Sequence, residues 1–212
     1  MLEALTDPFT WRDWHSFLGT AIGFLGLAIA GVEVVKRKKA ERALEAMEWR
    51  EVDFGARRLA RDILASNYRP ALMLAPDSRG GLIARQIAQQ LHQDGINIPV
   101  LVGVTVWKKG TRFQGDLSLY DFLQTKRWDF GLPKACYANP DRDILIVDDI
   151  VYSGASLEQA RQHLTQNGVP KERIRTATLV VSHAAIKADS APDFYVRVTR
   201  SDNFLFPWGD AL

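Results

Sequence analysis

The chain has 212 residues, and its 27 lysines and arginines nearly balance 25 aspartates and glutamates, for a formal net charge of +2. Such a balanced charge, without a nucleic-acid-binding motif, argues against DNA or RNA as a partner. The single cysteine excludes an intramolecular disulfide, and the histidines lack the spacing of metal ligands. The length suits one domain with an appended segment.

The first predicted element is a membrane-spanning helix at residues 16–35. Its only charged residue is Glu33, and a helix of that length rises roughly 30 Å, the hydrocarbon thickness of a bilayer. The basic cluster Lys36-Arg37-Lys38-Lys39 follows at once. Because positive charge collects on the cytoplasmic side, residues 1–15 should lie outside the cytoplasm and the rest inside. We therefore expect a single-pass protein of the cytoplasmic membrane.

Two other interpretations of residues 16–35 stay open. A cleaved signal peptide could end at Ala28-Ile29-Ala30, but its amino end lacks positive charge and a basic cluster follows. A buried soluble helix that serves as an oligomer contact is the other. The spacing of Gly19 and Gly23 would let two membrane helices approach closely, and we expect a homodimer.

The part of the chain after the anchor is divided into a basic helical stalk at 36–48 and a globular domain at 49–212. Apolar runs in the domain predict strands, and segments with helical periodicity predict helices between them. The predicted helices are Trp49–Leu64, Leu82–His92 and Leu157–Gln166, and the predicted strands are Ala71–Ala75, Val100–Trp107, Ile144–Val147, Ile174–Val181 and Phe194–Thr199. This alternation favours an α/β fold in which helices flank a Rossmann-like parallel sheet with right-handed crossovers.

A glycine-bearing turn follows the first predicted strand. It reads Pro76-Asp77-Ser78-Arg79-Gly80-Gly81. Glycine lets backbone amides approach an anion closely, and the guanidinium of Arg79 can neutralise that anion. Taken alone, such a turn is more often the plain start of a helix.

The most informative segment of the chain is 143–156. The apolar run Ile144–Val147 leads into Asp148 and Asp149, and Ser153-Gly154-Ala155-Ser156 then opens the next predicted helix. Ligands of open α/β sheets bind where strand carboxyl ends meet helix amino termini, and amides and hydroxyls there hold phosphate. Two carboxylates would repel a phosphate, but they suit vicinal sugar hydroxyls or a divalent cation. A phosphorylated sugar satisfies both halves of the segment.

This segment resembles the 5-phosphoribosyl-1-pyrophosphate (PRPP) signature of type I phosphoribosyltransferases, in which an apolar strand and two acids precede Ser/Thr-Gly-x-Ser/Thr. The resemblance extends over about residues 49–208. The turn at 76–81 stands where the family carries its pyrophosphate loop, and residues 108–120 stand where it carries a mobile flap. Trp128–Pro133 resembles a short strand of purine-type members. The ending 203–208 is similar to the base-binding C-terminal hood of bacterial and archaeal xanthine–guanine-type members.

The resemblance implies a Mg²⁺-dependent transfer of the phosphoribosyl group from PRPP to a nitrogen of a nucleobase or a similar acceptor, with release of pyrophosphate. Asp148, Asp149 and Arg79 would be catalytic, and the two aspartates would hold ribose hydroxyls or Mg²⁺, directly or through water. The implied 5-phosphate site comprises Tyr152, Ser153, Gly154, Ala155 and Ser156. The implied pyrophosphate site comprises Ser78, Arg79, Gly80, Lys108 and Lys109, and the implied base pocket comprises Ile150, Tyr152, Asn203 and Phe204.

Two positions depart from the family pattern. Purine-using members commonly carry an acid where this chain has Tyr152, and a phenol with a pKa of about 10 is a poor general base at neutral pH. Asn203 falls at the position of the family's stacking tryptophan, with Phe204 one step on. A second hypothesis therefore stays open, in which the fold is a non-catalytic, regulatory or defence-associated module that senses PRPP or a nucleotide.

Overall fold

The computed structural model of the protein describes residues 45–107, 116–124, 128–201 and 203–210. The predicted membrane helix at 16–35, most of the predicted stalk, and Lys108 and Lys109 lie outside these ranges. Within them, no helix has the length and apolar character needed to cross a bilayer.

The described residues form four α-helices and eleven strands. In chain order the strands are β1 (Glu45–Ala46), β2 (Leu72–Ala75), β3 (Val100–Val102), β4 (Val104–Trp107), β5 (Tyr120–Gln124), β6 (Trp128–Pro133), β7 (Ile144–Val151), β8 (Ile174–Ser182), β9 (Phe194–Thr199), β10 (Phe204–Phe206) and β11 (Gly209–Asp210). The helices are α1 (Trp49–Ala65), α2 (Ser78–Gln93), α3 (Ala155–Gln166) and α4 (His183–Lys187).

A five-stranded parallel sheet of order β3-β2-β7-β8-β9 lies at the centre of the fold. Successive side chains of a strand point to opposite faces, so each inner strand contributes to two hydrophobic cores. Met73 of β2 and Leu145 of β7 pack on one face with residues of α1 and α2. Leu74 and Ile146 pack on the other face with residues of α3. The predicted α/β fold with a helix-flanked parallel sheet is confirmed.

The predicted strand Val100–Trp107 is divided into β3 and β4 at Gly103. A Cβ atom on Gly103 would lie 2.4 Å from the carbonyl oxygen of Pro76 and 2.6 Å from that of Gly131. Two other backbone segments therefore approach at this residue. The chain leaves the central sheet here and enters an antiparallel sheet of order β4-β6-β5, in which β6 coincides with the predicted strand Trp128–Pro133.

The C-terminal hood is a small sheet of order β1-β10-β11. Glu45 and Ala46 pair in parallel with Phe204 and Leu205. The guanidinium of Arg197 donates to the Ala46 carbonyl oxygen at 3.0 Å and to Glu45 Oε2 at 3.2 Å. The prediction that a helical stalk continues to Glu48 is therefore wrong for residues 45 and 46, because β10 offers them backbone hydrogen bonds.

Helix α2 begins at Ser78, four residues before the predicted start at Leu82. Asp77 precedes it in an extended conformation, and its carboxylate accepts hydrogen bonds from the helix's first amides, which makes Asp77 the N-cap. The predicted glycine-bearing loop is therefore the first turn of α2.

The first turn of α2 lies directly against the backbone of β7. A Cβ atom on Gly80 would lie 2.5 Å from the carbonyl oxygen of Val147 and 3.1 Å from the Cα atom of Asp148. Only glycine permits this approach, because the atoms in the way are backbone atoms that cannot move independently of the sheet. Gly80 thus sets the distance between the first turn of α2 and Asp148.

Replacement of Gly80 by alanine should lower the free energy of unfolding by about 1–3 kcal/mol, because α2 must move away from β7. Urea unfolding followed by circular dichroism measures this change. Arg85→Ala, at an exposed position of the same helix, is the matched control and should change stability by no more than about 0.5 kcal/mol. Equal stability of the two variants would contradict the close contact.

Candidate functional site

The acid pair lies inside β7 rather than after it. The strand runs to Val151, four residues beyond the predicted end at Val147, and Asp148 pairs with Thr178 of β8. Asp149 is 4% exposed, whereas Asp148 is partly exposed. Asp148 Oδ1 accepts the Asp149 N–H at 2.9 Å, and Asp149 Oδ1 accepts the Ile150 N–H at 2.8 Å. These local bonds orient both carboxylates.

The first turn of α2 supplies a third carboxylate and a guanidinium. Asp77 Oδ1 accepts the N–H groups of Arg79 at 3.0 Å and of Gly80 at 2.9 Å. Asp77 Oδ2 lies 3.6 Å from Nε of Arg79, whose side chain is 29% exposed. The amides of Arg79 and Gly80, predicted to meet pyrophosphate, are therefore already bonded to Asp77. Of this turn's predicted groups, the exposed Ser78 and the Arg79 guanidinium are the ones that can meet a ligand.

Three carboxylates and one guanidinium determine the electrostatics of the site. Burial raises the pKa of Asp148 well above its ordinary value, and the carboxylates of Asp149 and Asp77 raise it further. Burial, followed by repulsion from Asp77, raises the pKa of Asp149 to about 6. The Arg79 guanidinium and a hydrogen bond from Trp208 act in the opposite direction on Asp149. The three carboxylates of the site outnumber its one guanidinium, which favours a cation or a hydroxyl-rich ligand.

The predicted 5-phosphate turn leads into α3, as expected. Gly154 is the N-cap and has a left-handed backbone with φ of 76°. The first N–H groups of α3 have no partner within the helix, and the helix dipole favours an anion beside them. Ser153 and Ala155 are exposed and Ser156 is partly exposed, so this turn is open to a ligand.

The loop after α4 contacts the turn at Ser153 and Gly154. The Ser190 hydroxyl donates to the carbonyl oxygen of Ser153 at 3.1 Å and also lies 3.2 Å from that of Ala185. A Cβ atom on Gly154 would lie 2.7 Å from the carbonyl oxygen of Ser190. The glycine is therefore required both by its backbone conformation and by the close approach of Ser190.

Tyr152 lies differently from the rest of the predicted 5-phosphate group. Its carbonyl oxygen accepts the Ser182 hydroxyl, and its ring packs against the hydrophobic core that contains Ile150. Its predicted contact with the phosphate therefore stays a prediction.

Two residues of the predicted base pocket are buried. Phe204 is 1% exposed and its ring lies under the guanidinium of Arg197, at 5.3 Å, so neither face is open to a base. Ile150 is buried in the same core. Phe204 shares the inward side of β10 with Phe206, and their ring centroids lie 4.9 Å apart. Asn203 is exposed.

Trp208 is the hood residue that reaches the acid pair. Its indole Nε1–H donates to Asp149 Oδ2 at 3.3 Å. Sequence reasoning missed Trp208, because no local pattern relates it to a residue in β7. It also missed the role of Asp77, although an aspartate between a strand and a helical segment is a recognised N-cap signal. Ser190 gave no sequence signal.

The carboxylates of the site suit Mg²⁺ that arrives with a substrate. In the described part of the chain, no three His, Cys, Asp or Glu side chains are grouped so that they could hold a metal ion. Magnesium sites commonly use one or two carboxylates together with water and substrate phosphates. Asp148 and Asp149 can provide such a pair, and a bound cation would offset the burial and the mutual repulsion of carboxylates that raise their pKa values.

A helix amino terminus and an acid pair at the carboxyl edge of a parallel sheet are typical of α/β proteins that bind phosphorylated ligands. The family model of the phosphoribosyl transferase domain matches residues 45–212. The chain therefore belongs to the phosphoribosyltransferase family.

Individual relatives agree with this assignment. The bifunctional protein PyrR of Streptococcus pyogenes serotype M12 (strain MGAS2096) is 26% identical over 104 residues, which are 49% of this chain and 51% of the relative. The chain thus spans about half the length of the curated relative that it matches. A purine phosphoribosyltransferase from Pyrococcus horikoshii Ot3 has a TM-score of 0.51 at 24% identity, over 78% of this chain and 93% of that one.

A hypothetical protein from Neisseria gonorrhoeae, solved with bound ppGpp, has a TM-score of 0.55 at 17% identity, over 78% of this chain and 88% of that one. At these identities the two solved structures show a shared fold alone.

Replacement of Asp148 by asparagine should stabilise the protein at neutral pH. Folding raises the pKa of Asp148, so the wild type loses stability as the pH rises above about 4, the ordinary range of aspartate, and its carboxylates ionise. At pH 7.5 the variant should be more stable by about 1–2 kcal/mol, and the difference should shrink towards pH 4. Urea unfolding at several pH values measures this dependence.

Asp141→Asn is the matched control, because Asp141 is exposed in the turn before the same strand. It should not change the slope of stability against pH. A variant at Asp148 that is less stable than the wild type at pH 7.5 would show that the acid pair is not electrostatically strained.

Proposed function

We propose that the protein is a membrane-anchored, Mg²⁺-dependent phosphoribosyltransferase that transfers the 5-phosphoribosyl group from PRPP to a nitrogen of a nucleobase or a similar acceptor. The observation that carries this proposal is the contact between the first turn of α2 and β7 at Gly80. Through this contact, Arg79 lies beside the acid pair, and the phosphate turn at the start of α3 follows in the same chain segment. PRPP is a ribose with a phosphate at one end and a pyrophosphate at the other, which suits such an arrangement.

Asp148 and Asp149 bind the ribose in this proposal. Carboxylates are hydrogen-bond acceptors, so they accept hydrogen bonds from the two ribose hydroxyls. The amides at the start of α3, with the hydroxyls of Ser153 and Ser156, bind the 5-phosphate. Strand β7 holds the ribose hydroxyls and the first turn of α3 holds the 5-phosphate. The reacting carbon is therefore kept in one orientation.

Arg79 and Ser78 bind the leaving pyrophosphate. The bond between ribose C1 and the pyrophosphate oxygen breaks, its electron pair leaves with that oxygen, and a bond from the acceptor nitrogen to C1 forms. The Arg79 guanidinium stabilises the negative charge that accumulates on the leaving group. Mg²⁺, when bound, supplies further positive charge to the same pyrophosphate. The nitrogen's proton passes to solvent in this scheme, because Tyr152 is a poor base at neutral pH.

The relatives support a nucleobase as acceptor. The solved purine phosphoribosyltransferase from Pyrococcus horikoshii Ot3 has a similar fold, which is consistent with such an acceptor. The partners that we propose are PRPP, a nucleobase or nucleotide, and a second copy of the chain in a homodimer. Burial of Ile150 and Phe204 leaves the exposed Asn203 and the partly exposed Tyr152 as the predicted pocket residues that can still meet a base.

The second candidate function is a nucleotide-sensing module without catalysis. The burial of Phe204 favours it, because the ring that would replace the stacking tryptophan cannot receive a base. The similar fold of the Neisseria protein that was solved with ppGpp is consistent with a nucleotide as the ligand. The same phosphate turns would then hold a ligand that is not converted.

Calorimetric titration with PRPP and Mg²⁺, combined with an assay of pyrophosphate release across a panel of nucleobases, separates the two functions. We expect binding, and release with at least one base. Replacement of Asp148 and Asp149 together by asparagine should weaken PRPP binding by at least about 100-fold, because two hydrogen bonds to charged groups are weakened. Asp141→Asn, the exposed control, should bind as the wild type does.

Binding without release on any base would favour the sensing module over the enzyme. Absence of PRPP binding in the wild type, or equal affinity of the double variant, would contradict the enzyme, and titration with purine nucleotides would then test the sensing module.

The membrane anchor can be tested by fractionation of cells that express the full chain. We expect the chain to sediment with membranes and to stay there through a high-salt wash, because residues 16–35 are apolar enough to insert. A variant without residues 1–44 should be found in the soluble fraction. Release of the full chain by salt alone would mean that Lys36–Lys39 bind anionic lipids without an inserted helix, and a full chain in the soluble fraction would contradict the anchor.

A further inference from the structure

Trp208 connects the hood to the acid pair through one hydrogen bond. Its indole N–H donates to Oδ2 of Asp149 at 3.3 Å, while Oδ1 of the same carboxylate accepts the Ile150 N–H at 2.8 Å. The Asp149 carboxylate is thus held at both oxygens. A buried carboxylate with both oxygens bonded has little freedom to rotate.

Aromatic neighbours fix the indole ring. Trp208 lies in the two-residue turn between β10 and β11, since Phe206 pairs with Gly209. Its ring is stacked on that of Phe206, with centroids 4.7 Å apart and planes 6° from parallel. Trp49, the first residue of α1, packs against it at 5.6 Å and 58°. The direction of the N–H bond is therefore set within the hood, by the turn and by the stacking on Phe206.

Neighbouring charges act on the Asp149 carboxylate in opposite directions. The Asp77 carboxylate repels it and the Arg79 guanidinium attracts it. A neutral donor such as an indole N–H can bond the carboxylate without adding a charge that would compete for the pyrophosphate or for a cation. Trp208 can therefore orient Asp149 while the neighbouring charged groups bind the ligand.

We infer that Trp208 is a positioning residue for the proposed PRPP site, which holds the Asp149 carboxylate in the orientation that receives a ribose hydroxyl. This inference rests on the proposed function and extends it, because it makes the hood part of the sugar site. The carboxylate is held from the C-terminal hood, 59 residues away in the chain. Placement of the hood and affinity for the sugar are therefore coupled.

Trp208→Phe in the full chain tests this role, because phenylalanine keeps an aromatic ring on Phe206 but has no N–H group. We expect calorimetric titration with PRPP and Mg²⁺ to show roughly tenfold weaker binding, the effect of one lost hydrogen bond to a charged group. Trp49→Phe is the matched control. It changes a ring of the same aromatic cluster, half-exposed at 53%, and should leave PRPP affinity unchanged.

A spectroscopic measurement tests the contact independently of any loss of folding in the Trp208 variant. The indole N–H resonance of Trp208, identified by its absence from the spectrum of Trp208→Phe or by backbone assignment, should shift in Asp149→Asn. It should also shift when PRPP and Mg²⁺ are added to the wild type, and in Trp49→Phe it should still respond to PRPP. A structural role in packing alone would not make this resonance depend on the Asp149 charge.

The possible outcomes separate this inference from the proposed function. If the wild type binds PRPP, and Trp208→Phe binds it equally well or the resonance ignores Asp149→Asn, the positioning role is wrong and the proposed function stands. If the wild type does not bind PRPP, both fail. Weaker binding by Trp208→Phe but not by Trp49→Phe, with a resonance that follows Asp149, supports the inference.

Discussion

The close approach of helix α2 to strand β7 at Gly80 places the first turn of α2, with Asp77 and Arg79, beside the acid pair. The Val147 carbonyl oxygen and the Asp148 Cα atom occupy the space that a side chain would need. Since α2 is capped by Asp77 and β7 lies between β2 and β8, neither element can shift alone. The guanidinium of Arg79 and the acid pair are thereby held at one edge of a rigid sheet. Ligand-binding groups on such elements keep their geometry better than groups on free loops.

This arrangement has an electrostatic cost. Burial raises the pKa values of Asp148 and Asp149, and repulsion from neighbouring carboxylates, including that of Asp77, raises them further. The Asp77 carboxylate that caps α2 ahead of Ser78 is therefore also a source of repulsion on the acid pair. Protein sites that bind cations or hydroxyls are commonly strained in this way, at some expense of stability. The aspartates of the proposed PRPP site are the residues at which stability and function should conflict.

The features of this fold that depend on local sequence could be predicted. The apolar runs around Met73 and Ile146 reveal buried parallel strands, because both faces of such strands are covered. The segment 143–156 identified the acid pair and the turn at Gly154, since strand, turn and helix follow one another within a few residues. The start of α2 at Ser78 was predictable too, from Asp77, but the glycines that follow favoured a loop.

Features that depend on contacts between distant segments could not be predicted in this way. The bond from Trp208 to Asp149 follows from a hairpin turn and from stacking on Phe206, and neither is encoded near β7. The strand pairing of Glu45 requires β10 as a partner. The burial of Phe204 is an intermediate case, because alternation along β10 puts it on the same side as Phe206. The sequence shows this alternation, but it does not show which side of β10 a hydrophobic core covers.

A crystal structure of the protein with PRPP and Mg²⁺ is the most decisive test of how the site holds its ligand. It should show the ribose hydroxyls on Asp148 and Asp149, the 5-phosphate at the first turn of α3, and the pyrophosphate beside Arg79. Ligand density at another edge of the sheet, or a ribose that contacts neither aspartate, would contradict the arrangement described above.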